Sequence, residues 1–180
     1  MFDPCVARLA AEIHARLKIK TATSTPRRRH ALSAAHYLLS MDMNIRFLDP
    51  RVAESHYAPL LRAGARLCAA SDAPRRRAHY EGEQDLACLA AALLWAVTRA
   101  HALVDGNKRA SVVLADEFLA LNGHHLAGAA DTLYQLIYTA AAGRSNEAEL
   151  AAGLRTCLAA GVPERPFAAR YPDVIERLAH

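Results

Sequence analysis

Apolar residues recur at intervals of three and four along most of this chain, the period of helices that each bury one face. Val6, Leu9, Ala10, Ile13 and Leu17 mark a first helix, which ends before the polar run from Thr21 to Thr25. Thr25-Pro26 opens a second that reaches about Ser40, because a hydroxyl cap followed by proline suits a helix start. Asp49-Pro50 opens a third, with Leu60, Leu61 and Leu67 on its buried side; Pro59 bends or interrupts it, and it ends near Ser71. Leu86, Leu89, Ala90, Leu93, Leu94 and Val97 form the next stripe, and Leu114, Phe118 and Leu121 another that stops at Asn122-Gly123. Leu133, Leu136, Ile137 and Ala140 define a helix closed by Gly143. Asn146 and Glu149 then form a capping pair for a last core helix through Leu150, Leu154 and Leu158. There is no internal repeat.

Composition agrees with this helical pattern. The 180 residues suffice for one well-packed core, and much of the 53% hydrophobic fraction is alanine and leucine. The net charge of +4 is carried by arginine, with clusters at Arg27-Arg28-Arg29 and Arg75-Arg76-Arg77. Neither cluster is interleaved with aromatic residues, so solvated faces are expected and no nucleic-acid partner. Cys5, Cys68, Cys88 and Cys157 form no Cys-x-x-Cys pair and are expected as buried, reduced thiols of a cytosolic protein. No two of the nine histidines have the helical spacing of a zinc pair. No continuous apolar segment is long enough to span a bilayer, and no signal core opens the chain. The expectation is a cytoplasmic protein with no membrane association.

The chemistry is concentrated between the two central helices, where His101 to Arg109 reads His-Ala-Leu-Val-Asp-Gly-Asn-Lys-Arg. The Asp105-Gly106-Asn107 turn lies at the start of the second helix, whose free backbone N–H groups and positive dipole end attract anions. The imidazole of His101 can take a proton from an incoming hydroxyl. Asp105 is a hard oxygen ligand suited to magnesium bridging nucleotide phosphates. Asn107 can donate to a phosphate oxygen, Lys108 supplies a point charge, and Arg109 offers a planar fork. The expected reaction class is phosphoryl or nucleotidyl transfer. Each residue alone has an ordinary reading as a cap, turn or surface group; it is the ordered set between two helices that points to a site.

This nonapeptide resembles the signature of the Fic/Doc (Fido) proteins, His-x-Phe-x-[Asp/Glu]-[Gly/Ala]-Asn-[Gly/Lys]-Arg. Tyr80-Glu81, Asp85-Leu86 and Asn122-Gly123 follow in the order and spacing of Doc-like toxins, so that the resemblance covers roughly residues 46 to 158. It implies an all-α Fic fold, a helical bundle with a short β-hairpin flap before the pair of motif helices. The corresponding division is an N-terminal helical extension at 1–45, a core domain at 46–160 and a C-terminal tail at 161–180. Arg77, His79 and Tyr80 fall where the flap clamps the target segment. Ala102 and Leu103 depart from the proline and phenylalanine common at those positions.

Lys108, one of only three lysines in the chain, resembles the Doc (death-on-curing) branch. There the lysine is associated with ATP bound in reverse and transfer of the γ-phosphate; in Fic enzymes a glycine leaves an anion hole that orients ATP for AMP transfer. The resemblance therefore implies a bacterial toxin-type protein kinase using ATP and Mg2+. Its substrate would be a Ser/Thr hydroxyl on a cytosolic protein such as a translation factor, elongation factor Tu being the known Doc target. His101, Lys108 and Arg109 would be catalytic, Gly106, Asn107, Lys108 and Arg109 would bind the nucleotide, and Asp105 the metal. AMP transfer (AMPylation by a nucleotidyltransferase) and a catalytically silent binding module are the alternatives, the second encouraged by Ala102 and Leu103. No stretch fully matches the inhibitory Ser/Thr-x-x-x-Glu-[Gly/Asn] motif of many Fic proteins. Ser145 to Glu149 comes nearest, so restraint is expected from a separate antitoxin or from the N-terminal helices.

Overall fold

The structure is a computed structural model that describes residues 45–180. The first two expected helices, the Arg27-Arg28-Arg29 cluster, Cys5 and all but one residue of the expected 1–45 extension lie outside the described residues.

Asp49 opens α1 (Pro50–His56): its carboxylate accepts the Arg51 N–H at 3.0 Å, and Pro50 needs no hydrogen-bond partner in the first turn. Pro59 interrupts the expected third helix. A single 3₁₀ turn (Ala58–Leu60) follows, and the chain runs extended before α2 (Gly64–Ser71), on which Leu67 is fully buried. Leu60 and Leu61 are half-buried.

The β-hairpin expected next is not formed. Residues Ala73–Glu81 are a helix, α3, entered through Pro74 and closed by Gly82 at φ 69°. The physical reason is local: proline fits the first turn, arginine has high helix propensity, and the ion pairs Arg75–Asp72 (3.2 Å) and Arg77–Glu81 (3.3 Å) have helical spacing.

Helix α4 (Leu86–Ala100) is the centre of the molecule. It is apolar on every side, with Ala87, Leu89, Ala90, Ala91, Leu93, Leu94 and Val97 all fully buried, as a helix surrounded by others must be. Asp85 caps it by accepting from Ala87 N–H at 2.7 Å and Cys88 N–H at 3.3 Å, and also receives Arg155 at 2.6 Å. Helix α5 (Asn107–Leu121) packs along α4 more extensively than any other pair of elements. Its Val112, Val113, Phe118 and Leu119 are fully buried.

Gly123 at φ 75° ends α5 as expected. The Asn122 amide then ties back residue 46, accepting its N–H at 2.8 Å and donating to its carbonyl at 2.9 Å. Strand β1 (His124–Leu126) follows, then α6 (Ala130–Ala141) and α7 (Glu147–Thr156). The capping pair of α7 is present in both directions: Glu149 N–H reaches Asn146 Oδ1 at 2.9 Å, and Asn146 N–H reaches Glu149 Oε2 at 3.0 Å. Leu158, expected at the end of that helix, instead belongs to β2 (Leu158–Ala160), which pairs antiparallel with β1 in the register His124–Ala160, His125–Ala159, Leu126–Leu158.

Residues 161–180, expected as a tail, carry α8 (Phe167–Arg170) and α9 (Pro172–Arg177). Phe167, Val174, Ile175 and Leu178 are buried in the same core as α4 and α5. Arg170 fastens this end, donating to Asp116 Oδ2 at 2.6 Å and to the carbonyl of Leu126. The all-α architecture is thus observed, and the small sheet lies after the motif helices.

Cys157 is buried, whereas Cys68 and Cys88 are half-buried, and all three are free thiols. Burial, together with the neighbouring carboxylate of Glu54, pushes the Cys68 thiol up from its ordinary range. Burial and Asp85 do the same at Cys88. No helix among the described residues is long and apolar enough to cross a membrane.

Candidate active site

The six-residue connection between α4 and α5 is held from three directions. Ala102 and Leu103 are buried, at 0% and 2% exposure, so the leucine fills the position where a phenylalanine would anchor the loop. The extended stretch before α2 lies alongside: Arg62 N–H and Ala63 N–H donate to the Ala102 carbonyl at 2.7 and 3.0 Å, and Val104 N–H donates to the Leu60 carbonyl at 2.9 Å. Leu61 and Leu103 form an isolated antiparallel bridge there. Within the loop, Asn107 Oδ1 accepts the Leu103 N–H at 3.1 Å and its Nδ2 donates to the Leu103 carbonyl at 3.0 Å. Asn107, expected as a phosphate donor, uses its amide oxygen and an amide N–H to close the loop around Leu103.

His101 leaves α4 in the left-handed region at φ 45°, the one non-glycine residue with positive φ among those described. This conformation is rare for a residue with a Cβ and points to a site where the surrounding fold dictates the backbone. The exposed imidazole borders a cleft of about 410 Å3. Asp105, Gly106, Asn107 and Lys108 line the same cleft, so the structure brings five of the six expected motif residues together. Its other wall comes from α6, through Tyr138, Ala141 and Ala142, with Thr98 and His180 completing it. The Lys108 ammonium stands 5.9 Å above the Tyr138 ring centroid, which keeps the charge on the cleft side of the helix.

Gly106 is the N-cap of α5 at φ 84°, and no side chain caps the helix there. The first N–H groups of α5, which lack partners within the helix, stand at this cationic end of the cleft. A Cβ on Gly106 would come within 3.3 Å of the Arg109 guanidinium, which lies directly beneath the turn. Arg109 itself is 8% exposed and donates from Nη2 to Asp105 Oδ2 at 2.7 Å, while the Asp105 side chain is 70% exposed at the rim.

These residues fit a nucleotide with its metal. The uncapped helix start and Lys108 suit phosphate oxygens, and the accessible Asp105 carboxylate suits magnesium, which takes few protein ligands and keeps its waters. No cluster of three or more His, Cys, Asp or Glu that could hold a metal is present among the described residues.

Arg77, His79 and Tyr80 do not border this cleft. They lie on α3, where Arg77 bridges to Glu147 at 2.6 Å and His79 packs edge-on against Tyr80 with ring centroids 4.8 Å apart. Arg77 and Tyr80 instead line a separate groove with Trp95 and Glu147. Sequence reasoning missed Tyr138 and His180 as site residues, and missed the 60–63 stretch as the clamp on the loop. Tyr134 and Tyr138 were visible as an aromatic pair at helical spacing; nothing in the sequence marked the other two.

No curated protein matches this chain. A family model described as the Fic/DOC family, whose members are typically transferases acting on proteins, matches residues 7–119. The match takes in the whole loop from His101 to Arg109 and begins well before residue 46, where the motif resemblance began. Over half its length, and with the motif residues gathered at one helix start, the chain belongs to the Fic/DOC family.

Proposed function

We propose that this protein transfers the γ-phosphate of magnesium ATP to a serine or threonine hydroxyl of a protein, in the manner of the Doc branch. The observation that carries this reading is Lys108 on the cleft wall beside an uncapped helix start, where Fic-type enzymes have a glycine. A lysine there adds a full charge where phosphate oxygens would lie. His101, at the edge of the cleft, is the general base that takes the proton of the incoming hydroxyl. Asp105 would hold magnesium, which supplies charge neutralisation between phosphate oxygens. Lys108 and the first N–H groups of α5 cradle the phosphates, and Arg109, beneath the turn, would complete the cradle. Asn107 and Gly106 set the loop shape. Such transfer is mostly positioning and electrostatic stabilisation, so the fixed loop is itself part of the catalyst.

A second reading, transfer of AMP, uses the same His101 and Asp105 and differs only in which phosphoryl group faces the hydroxyl. A cytosolic protein such as a translation factor is the proposed target, with a separate antitoxin as the restraining partner. The test is intact mass of proteins in a bacterial lysate after incubation with the chain and magnesium ATP, beside the His101→Ala variant. A gain of about 80 Da on one protein, absent with the variant, supports phosphoryl transfer. A gain of about 329 Da supports AMP transfer. No gain, under conditions where the protein binds ATP, favours a silent binding module.

A further inference from the structure

The far wall of the cleft holds a residue that the motif does not contain. Helix α9 is fixed to α6 by Arg177, which donates to Asp131 at 2.6 Å and stacks its guanidinium 3.9 Å above the Tyr134 ring centroid. Val174 and Leu178 are buried beside it, at 0% and 1% exposure. Tyr134 is in turn stacked on Tyr138, with centroids 5.4 Å apart and planes 20° from parallel. This chain of contacts carries the backbone after Arg177 along α6 and delivers His180, exposed, to the cleft.

The cleft therefore has two unlike walls. One, built from Gly106, Asn107 and Lys108, offers one cation and helix N–H groups. The other, on α6, offers the Tyr138 ring, which Lys108 faces at 5.9 Å, and the methyl groups of Ala141 and Ala142, side chains that themselves carry no charge to attract phosphate. His180 brings ring nitrogens able to donate and accept hydrogen bonds to the α6 side.

We propose that His180 is a specificity-determining residue that hydrogen-bonds the nucleoside end of a bound nucleoside triphosphate, its base edge or ribose. It rests on the reading that the cleft takes such a nucleotide. Arg177 is then a positioning residue, because it ties α9 to the wall that His180 completes.

The experiment is calorimetric titration of the full chain, His180→Ala and His180→Gln with magnesium ATP and, separately, magnesium triphosphate, which lacks the nucleoside. His180→Ala should weaken ATP about tenfold, the loss of one hydrogen bond, and leave triphosphate unchanged; His180→Gln, which keeps a donor and an acceptor, should recover most of the affinity. Equal ATP affinity in His180→Ala and the unaltered chain, or an equal loss for triphosphate, overturns the assignment while leaving the nucleotide reading intact. An unaltered chain that binds neither ligand overturns both.

Discussion

The guanidinium of Arg109 is paired with the carboxylate of Asp105 at 2.7 Å, the first nearly buried and the second at the rim of the cleft. The proposed metal ligand and the proposed phosphate fork thus neutralise each other before any ligand arrives. The pairing offsets the cost of a buried cation, and on the function proposed above Asp105 would hold the metal and Arg109 would serve the phosphate.

Asp105→Asn should separate these two roles. Transferase activity is expected to fall by about two orders of magnitude or more with the loss of the metal ligand. Triphosphate binding in the presence of a chelator should strengthen, because the Asp105 carboxylate no longer competes with phosphate for Arg109. Titration of triphosphate with and without magnesium checks both; a chelator-insensitive weakening would contradict the pairing argument.

Asn107→Ala removes both bonds that close the loop on Leu103. The two backbone groups left behind are at least partly buried, so a loss of ~1–3 kcal/mol in unfolding free energy is expected. Asn107→Asp keeps the acceptor and loses the donor, and should fall between. Denaturant unfolding of the two variants gives the order; an Asn107→Ala variant as stable as the parent would show that the clamp from Leu60 to Ala63 suffices alone.

Gly106→Ala should cost ~1 kcal/mol or more for its left-handed backbone, and its Cβ would press on Arg109 at 3.3 Å. Activity should drop more than stability, because the arginine and the helix start shift together. Comparing the fall in kcat/KM with the change in unfolding midpoint tests this.

Glu117 on α5 is 2% exposed, and its Oε2 has no hydrogen-bond partner. Burial, and the adjacent Asp116 carboxylate, push its pKa up to about 8 against the opposing pull of Arg170. The folded protein therefore holds this proton after the unfolded chain, at an ordinary 4.5, has released it. Between those values the native state binds more protons, so stability should fall as pH rises. Glu117→Gln should match the parent near the acid end of that window and exceed it at the alkaline end, on the order of a few kcal/mol. Thermal unfolding at both ends decides; parallel pH profiles for the two proteins would contradict the burial argument.

The residues legible in the sequence are those whose chemistry is local. Asn146 with Glu149, Gly123 after Asn122, and Asp49 with Pro50 each act within one helical turn, and each stands where its type and spacing imply. The recurrence of apolar positions at three and four likewise identifies Leu93, Phe118 and Leu154 as core. The loop from His101 to Arg109 is legible because its residue types are themselves the chemistry.

The stretch before α4 departs from expectation for an equally local reason. Resemblance suggests a hairpin, but Pro74 and the arginines after it satisfy a helix on their own terms, which removes Arg77, His79 and Tyr80 from the expected clamp over the motif. A family pattern does not override a nine-residue segment entered through proline and carrying two ion pairs at helical spacing.

Period and turn chemistry are enough to place α1, α4, α5, α6 and α7 and the reactive loop, because a helix is closed by bonds between residues four apart and its ends by neighbours. They are not enough to say that Asn107 holds the loop, that residues 60–63 clamp it, or that Tyr138 and His180 share a cleft with His101. The clamp and the shared cleft join positions separated by tens of residues. They exist only because burying the faces of α4, α5, α6 and α9 in one core leaves a single arrangement of the surfaces between them.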